Sequence, residues 1–246
     1  MSASYPTKIL LAMRSGERCA LPECRNNLTC DGTQGPTVVI GEAAHIYGEK
    51  EGSARYKNEM TDDSRNHYDN LMYLCPTCHT KIDKQIDDYP AEKLIKIKKS
   101  HEAWVSERLD ESMSAVSFAE LEIAAKAIAS GQHFVNGDFH VITPDEKIQK
   151  NALTQEVRSL ISVGLSKSSE VSDYLVKASQ LDAKFPERLK DGFKEKYLEL
   201  RRSLSGDALF MAMFEFAKSG QQDFKQQAAS LAILTHLFHL CEVFEK

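Results

Sequence analysis

The sequence predicts an α+β chain in two parts: a small irregular domain over residues 1–112, then a mainly α-helical domain with one short β-hairpin over 113–246. Three observations carry this. In the first part four of the six cysteines fall into two close pairs, Cys19/Cys24 and Cys75/Cys78. Across 111–117 (Glu-Ser-Met-Ser-Ala-Val-Ser) the pattern breaks after a helical run ending near Leu109. From Phe118 onward apolar residues recur at three and four positions, as at Leu121, Ala124, Ala125 and Ile128, which is the period of a helix face.

Length and composition set the bounds. With 246 residues and 42% hydrophobic content, the chain can bury a core in each part. The start holds only a brief apolar run (Ile9, Leu10, Leu11) with no small-residue cleavage site, and no uncharged apolar segment reaches the roughly 18 residues of a membrane span. A cytoplasmic protein without membrane contact is expected. The formal charge of -5 supplies no global basic field, so contact with nucleic acid has to come from local patches.

In order along the first part, Cys19-x4-Cys24 and Cys75-x2-Cys78 carry Pro22 and Pro76 in their intervening turns. An intracellular chain is not expected to use such pairs as disulfides, and two pairs brought together supply the four soft ligands of a tetrahedral structural zinc. A domain this poor in apolar periodicity also gains from a metal staple. Between the pairs, the β-rich run Thr37-Val-Val-Ile40 precedes Ala44-His45-Ile46, and Asn70-Leu71 leads into the second pair. Directly after it comes Cys78-His79-Thr80-Lys81-Ile82-Asp83. If that segment is helical, His79 and Asp83 stand at i and i+4 and project from one face.

The order His45, Asn70, His79, with the last histidine directly after a Cys-x-x-Cys, resembles the HNH nuclease family and its ββα-metal fold. Arg14-Ser-Gly-Glu-Arg-Cys19, Glu42-Ala-Ala-His-Ile46, Arg55-Tyr56 and Asn70-Leu-Met-Tyr-Leu-Cys75 look like its zinc-knuckled variant, over about residues 6 to 108. The resemblance implies cleavage of double-stranded DNA by phosphodiester hydrolysis. That reaction needs a base, a divalent cation and cationic groups to hold the backbone.

In this reading His45 is the general base, presented by the strand run before it, and Asn70 holds the loop carrying the base through side-chain hydrogen bonds to the backbone. His79 and Asp83 grip the catalytic ion, Mg²⁺ or a similar hard cation. The chain departs from the family at Ala44, which cannot coordinate where many HNH sites have Asp or His before the base. Glu42 has the same parity in an extended strand and is placed to reach the ion directly or through water. Arg55 is expected to clamp phosphate, and Lys93, Lys96, Lys98 and Lys99 form a local basic run for DNA contact. Trp104, the lone tryptophan, is expected to pack its helix onto the zinc core.

In the second part Asn136-Gly137 separates two short alternating runs within 133–142, the hairpin signal. Thr143-Pro144-Asp145-Glu146 and Phe185-Pro186 open helices, Ser205-Gly206-Asp207 separates two more, and a last helix is expected from about Gln222 to Phe244. His236, His239 and Cys241 lie on that nearly all-round apolar stretch and read as packing residues rather than a second metal site.

No catalytic set is visible there, so the helical part reads as a partner-binding and oligomerisation domain. Lys147-Ile-Gln-Lys-Asn151, Phe185-Pro186, Tyr197-Leu-Glu-Leu-Arg201, Ser205-Gly-Asp-Ala-Leu-Phe210 and Leu240-Cys-Glu-Val-Phe-Glu245 look like the C-terminal domain of effectors in ABC-three-component (Lamassu-type) bacterial antiphage systems. That resemblance implies a nuclease held by an ABC/SMC-like ATPase and a middle subunit, released to form homo-oligomers and cut. Two alternatives fit the same residues: a self-sufficient HNH restriction endonuclease, and a catalytically inactive zinc DNA-binding module.

Overall fold

The computed structural model describes residues 3–30, 38–130, 143–240 and 243–245, which form two compact units, Met1–Glu107 and Arg108–Lys246. The first unit opens with α1 (Tyr5–Arg14), capped by the Ser4 hydroxyl, which accepts from the Thr7 amide, with Pro6 in its first turn. Two short antiparallel pairs follow. β1 (Thr29–Cys30) pairs with β2 (Val38–Val39), and β3 (Glu42–His45) pairs with β4 (Leu71–Leu74) in the register Glu42↔Leu74 to His45↔Leu71. Thus the apolar run at 37–40 does not itself present His45; the histidine ends a separate strand.

Between β3 and β4 lie the short α2 (Asp62–Arg65) and a 3-10 turn, Tyr68–Asn70. After β4 come α3 (Pro76–Lys84) and α4 (Ala91–Ser114), so the helix begun at Ala91 runs past Leu109, where the sequence pattern ended it. β3, β4 and α3 make a strand–strand–helix unit. Its core gathers Leu11, Leu21, Leu28, Ala44, Ile46, all four residues of β4, Ile82 and Leu94.

In the second unit, the predicted hairpin at 133–142 lies outside the described residues. The described helices are α5 (Phe118–Ala129), α6 (Pro144–Lys150), α7 (Gln155–Leu165), α8 (Ser168–Leu181), α9 (Phe185–Leu200), α10 (Gly206–Lys218) and α11 (Phe224–His239). Leu121, Ala124, Ala125 and Ile128 are the buried face of α5. Thr143 and Glu146 form a reciprocal capping box on α6.

α11 is buried from Gln227 to Phe238 and packs against α5, α7, α8 and α10, which accounts for its all-round apolar sequence. Gly164 of α7 is what permits the close crossing: a Cβ there would lie 2.4 Å from Thr235 Oγ1. The helix is shorter than expected. It starts at Phe224, where the Asp223 carboxylate caps the amides of Lys225 and Gln226, and it ends at His239. Val243 and Phe244 are buried beyond that end, Phe244 with a left-handed backbone (φ 69°), so apolar residues that look like helix continuation fold back instead.

His236 is buried on α11 and shares a hydrogen bond with the Ser168 hydroxyl at Nδ1 (2.8 Å). Burial, with His239 nearby adding to the effect, lowers its pKa from 6.5 to about 4. The unfolded chain therefore binds a proton below pH 6.5 that the folded chain refuses until about pH 4, so stability falls as pH drops through that window. The drop attributable to this residue is about 3 kcal/mol at most. Urea unfolding of the second unit's helices between pH 7 and pH 4 should show it, and His236→Gln should flatten the dependence; an unchanged slope in that variant would contradict the assignment.

Candidate metal centres and nuclease site

The first cysteine pair sits on a knuckle. Cys19 donates its amide to Asn26 O (2.9 Å), and the turn closes through Cys24 N–H and Arg25 N–H to Leu21 O, with Arg25 in a left-handed conformation. The second pair opens α3: Cys75 is its N-cap, Pro76 follows, and the Cys78 amide donates to Cys75 Sγ (3.4 Å). The two meet. Cys24 and Cys75 sulfurs are 4.0 Å apart, the Cys75 amide donates to Cys19 Sγ (3.5 Å), and all four sulfurs lie within 4.8 Å of one another. A tetrahedral zinc with bonds of about 2.3 Å spaces its sulfurs at about 3.8 Å, so the quartet fits zinc.

Electrostatics agree. Burial raises the Cys19 thiol to about 11 and raises Cys78 further. Cys75 is lowered although desolvation opposes it, because the Cys78 amide and neighbouring thiols hydrogen-bond to its sulfur. Four sulfurs this close cannot share four negative charges unless a cation joins them.

α3 then carries two further residues toward β3. His79 Nδ1 is 2.7 Å from Glu42 Oε2, and His79 Nε2 is 3.5 Å from Asp83 Oδ2. Hydrogen bonding to Asp83 is the largest cause raising the His79 pKa, with Glu42 adding to it against the desolvation. Glu42 and Asp83 flank the two ring nitrogens and favour the protonated form of the ring. Glu42, His79 and Asp83 thus come together, but the ring stands between the carboxylates, so the three do not converge on one point. Their donors, two carboxylates and an imidazole that are all partly exposed, suit a hard divalent ion with water completing its shell. Seating an ion on one ring nitrogen requires that nitrogen to be free of a proton and one carboxylate to swing toward it.

His45 ends β3, half-buried, with Nε2 3.4 Å from Asn66 Oδ1. The chain beyond it is held by Asn70, which is 5% exposed: its Oδ1 accepts from the Tyr47 amide, and its Nδ2 donates to Tyr47 O and Arg65 O, each at 2.9 Å. Two arginines complete the hold. Arg65, buried over the Tyr56 ring, donates to Gly48 O, Lys57 O and Met60 O. Sequence reasoning missed Arg65, since nothing in a polar loop distinguishes an inward arginine from an outward one.

Arg55 is a correction. Expected to clamp phosphate, it is turned inward with its side chain 4% exposed, and its guanidinium donates to Ile46 O, Ile82 O, His45 O and Asp83 Oδ1. The carboxylate it reaches is held below its ordinary pKa against desolvation, by hydrogen bonds from His79 and Arg55.

The basic run is also narrower than its sequence. Lys98 is buried, donating to Tyr68 O over the Tyr68 ring, and desolvation lowers its pKa to about 8. Lys93, Lys96 and Lys99 are exposed, Lys93 bonded to Asp88 O. Trp104 takes the Arg25 guanidinium over its ring at 4.5 Å, joining α4 to the cysteine knuckle.

Two substitutions separate the centres. Cys75→Ser removes a thiolate and should cost the chain its zinc and the cooperative melting of the first unit. His79→Ala should leave both in place, as read by zinc content and thermal denaturation; loss of zinc in both would contradict two distinct centres.

Residues 19–85 match the family described as HNH endonuclease, a stretch that contains both cysteine pairs, β3, β4 and α3. No curated protein matches the chain. HNH nucleases act on DNA, and the match points to a nuclease; no described helix is long and apolar enough to cross a membrane.

Proposed function

We propose that this chain is a metal-dependent DNA endonuclease that hydrolyses phosphodiester bonds at the edge of β3 and α3. The observation that carries the proposal is the coincidence of the family match with a site where Glu42 and Asp83 flank His79, beside the strand that ends in His45. Zinc held by Cys19, Cys24, Cys75 and Cys78 is structural in this reading. A Mg²⁺-like ion bound by His79, Asp83 and Glu42 would supply neutralisation of charge on the scissile phosphate and leaving oxygen.

The chain's own residues do the rest. His45 accepts a proton from the attacking water as general base. Asn70 fixes the backbone at Tyr47, two residues on, and so limits how far the base can drift. Lys93 and Lys96, both exposed, are the basic residues read as meeting the DNA backbone.

The finer reading is a defence effector restrained by an ABC/SMC-like ATPase and a middle subunit, active as a homo-oligomer in the cytoplasm. What supports it is the set of phrases in the second unit that resemble such effectors. Toxicity on expression alone that is suppressed by co-expressed partner subunits is its expected outcome, whereas partner-independent cutting of modified DNA alone would favour a restriction enzyme.

Incubation of supercoiled plasmid with the purified chain and Mg²⁺ tests the central claim. Nicking is expected, and His45→Ala should reduce its rate by about 10²- to 10⁴-fold with zinc content and melting unchanged. Undiminished nicking by that variant would remove His45 from the chemistry, and no cutting with any divalent ion would favour a zinc-stapled DNA-binding module.

A further inference from the structure

Arg55 lies in the loop between β3 and α2 with a left-handed backbone (φ 55°). A phosphate-binding arginine presents its fork to solvent. This one instead bonds two separate elements at once. Nε donates to Ile46 O (2.7 Å), directly after β3, while Nη1 donates to Ile82 O (2.6 Å) in α3. Nη2 reaches both sides: Asp83 Oδ1 at 2.6 Å and His45 O at 3.4 Å. One guanidinium nitrogen therefore spans the backbone of His45 and the carboxylate of Asp83. Because Oδ1 is taken by Arg55, it is Oδ2 that faces the His79 ring.

We propose that Arg55 is a positioning residue for the divalent-ion site: it selects the Asp83 oxygen offered to the ion and locks the strand carrying His45 to the helix carrying His79. The consequence for catalysis rests on the nuclease reading; the consequence for ion binding does not. Lysine keeps the charge but has a single nitrogen, which cannot occupy the positions of Nε, Nη1 and Nη2 together. The expected effect of Arg55→Lys is weaker ion binding with the cysteine quartet intact.

The test uses the zinc-loaded full chain and Mn²⁺ as the probe, with free Mn²⁺ followed by electron paramagnetic resonance. Arg55→Lys should weaken Mn²⁺ binding by about tenfold, as should Asp83→Asn, while zinc content stays at the wild-type level. Combining the two should weaken binding no more than Asp83→Asn alone, because the arginine acts through that carboxylate. In plasmid nicking, the Mg²⁺ concentration for half-maximal rate should rise in Arg55→Lys with the KM for DNA unchanged.

Wild-type Mn²⁺ affinity in Arg55→Lys, or a full additive loss in the double variant, would overturn the proposal. So would a raised KM for DNA at an unchanged Mg²⁺ requirement, which is the signature of a phosphate clamp. Failure of the wild type to bind Mn²⁺ at millimolar concentrations also overturns it. Mn²⁺ binding with the expected variant pattern but no nicking would leave the positioning role standing and sink the nuclease reading instead.

Discussion

Four sulfurs within 4.8 Å of one another, two of them buried, are the constraint on which the first unit depends. As thiols they are weak hydrogen-bonding partners, and as thiolates they repel; a zinc ion held there would resolve both problems and tie a knuckle at 19–24 to the start of a helix at 75–78. The tie fixes a phase as well as a place. Cys75 caps α3, and Cys78 and Ile82 point inward one turn apart. Residues 79 and 83 then fall about 100° around the helix, toward β3. With Cys78 turned toward the other three sulfurs, His79 and Asp83 lie on the face beside Glu42, so the packing of the quartet also sets where these three side chains meet.

The second constraint is the loop from Tyr47 to Asn70, which has little apolar surface to bury and must hold its shape by other means. It does so by satisfying backbone groups with three inward polar side chains. Asn70 replaces a missing strand partner for Tyr47, Arg65 gathers three carbonyls of the loop, and Arg55 joins the loop's start to α3. A buried arginine with its donors matched is stable only while every acceptor stays in place, so the loop closes as one unit. That stiffness would suit the proposed nuclease reading, in which a base displaced by about 1 Å loses much of its advantage.

How much of this was legible in the sequence depended on whether a residue's type restricts its environment. Paired cysteines with prolines between them have few uses inside a cell, and the helical spacing of His79 and Asp83 follows from the chain alone. The α5 face and the Thr143–Glu146 box were equally readable, since period and capping chemistry are local. Arg55 and Lys98 were not, because a cation is usually solvated and only the tertiary fold supplies the acceptors that turn it inward. The end of α11 escaped for a related reason: Val243 and Phe244 are as apolar as the helix before them, and only the left-handed turn at Phe244 reveals a return. α1 lacked a long enough apolar period to stand out, although Ser4 and Pro6 are the cap and first-turn residues that begin it.

Four of the five phrases of the second unit that resemble effector domains, all but Phe185-Pro186, meet one another around that return. Lys147 donates to Phe238 O at the end of α11, where its charge also suits the helix dipole. Asn151 exchanges hydrogen bonds with the backbone of Glu245, whose carboxylate pairs with Arg201. Phe244 packs its ring against Tyr197, Phe210 and Phe238, and Asp207 caps Thr154 through both its amide and its hydroxyl. Gly206, with φ at 54°, brings the start of α10 against Ala152 O. These residues are therefore accounted for by the closure of their own helices. A likeness built on them is evidence about how the helical unit folds, and it carries no information about the surface a partner would touch. That surface has to be sought at side chains the bundle leaves outside, such as Ile123, Val176 and Leu181, none of which belongs to the phrases.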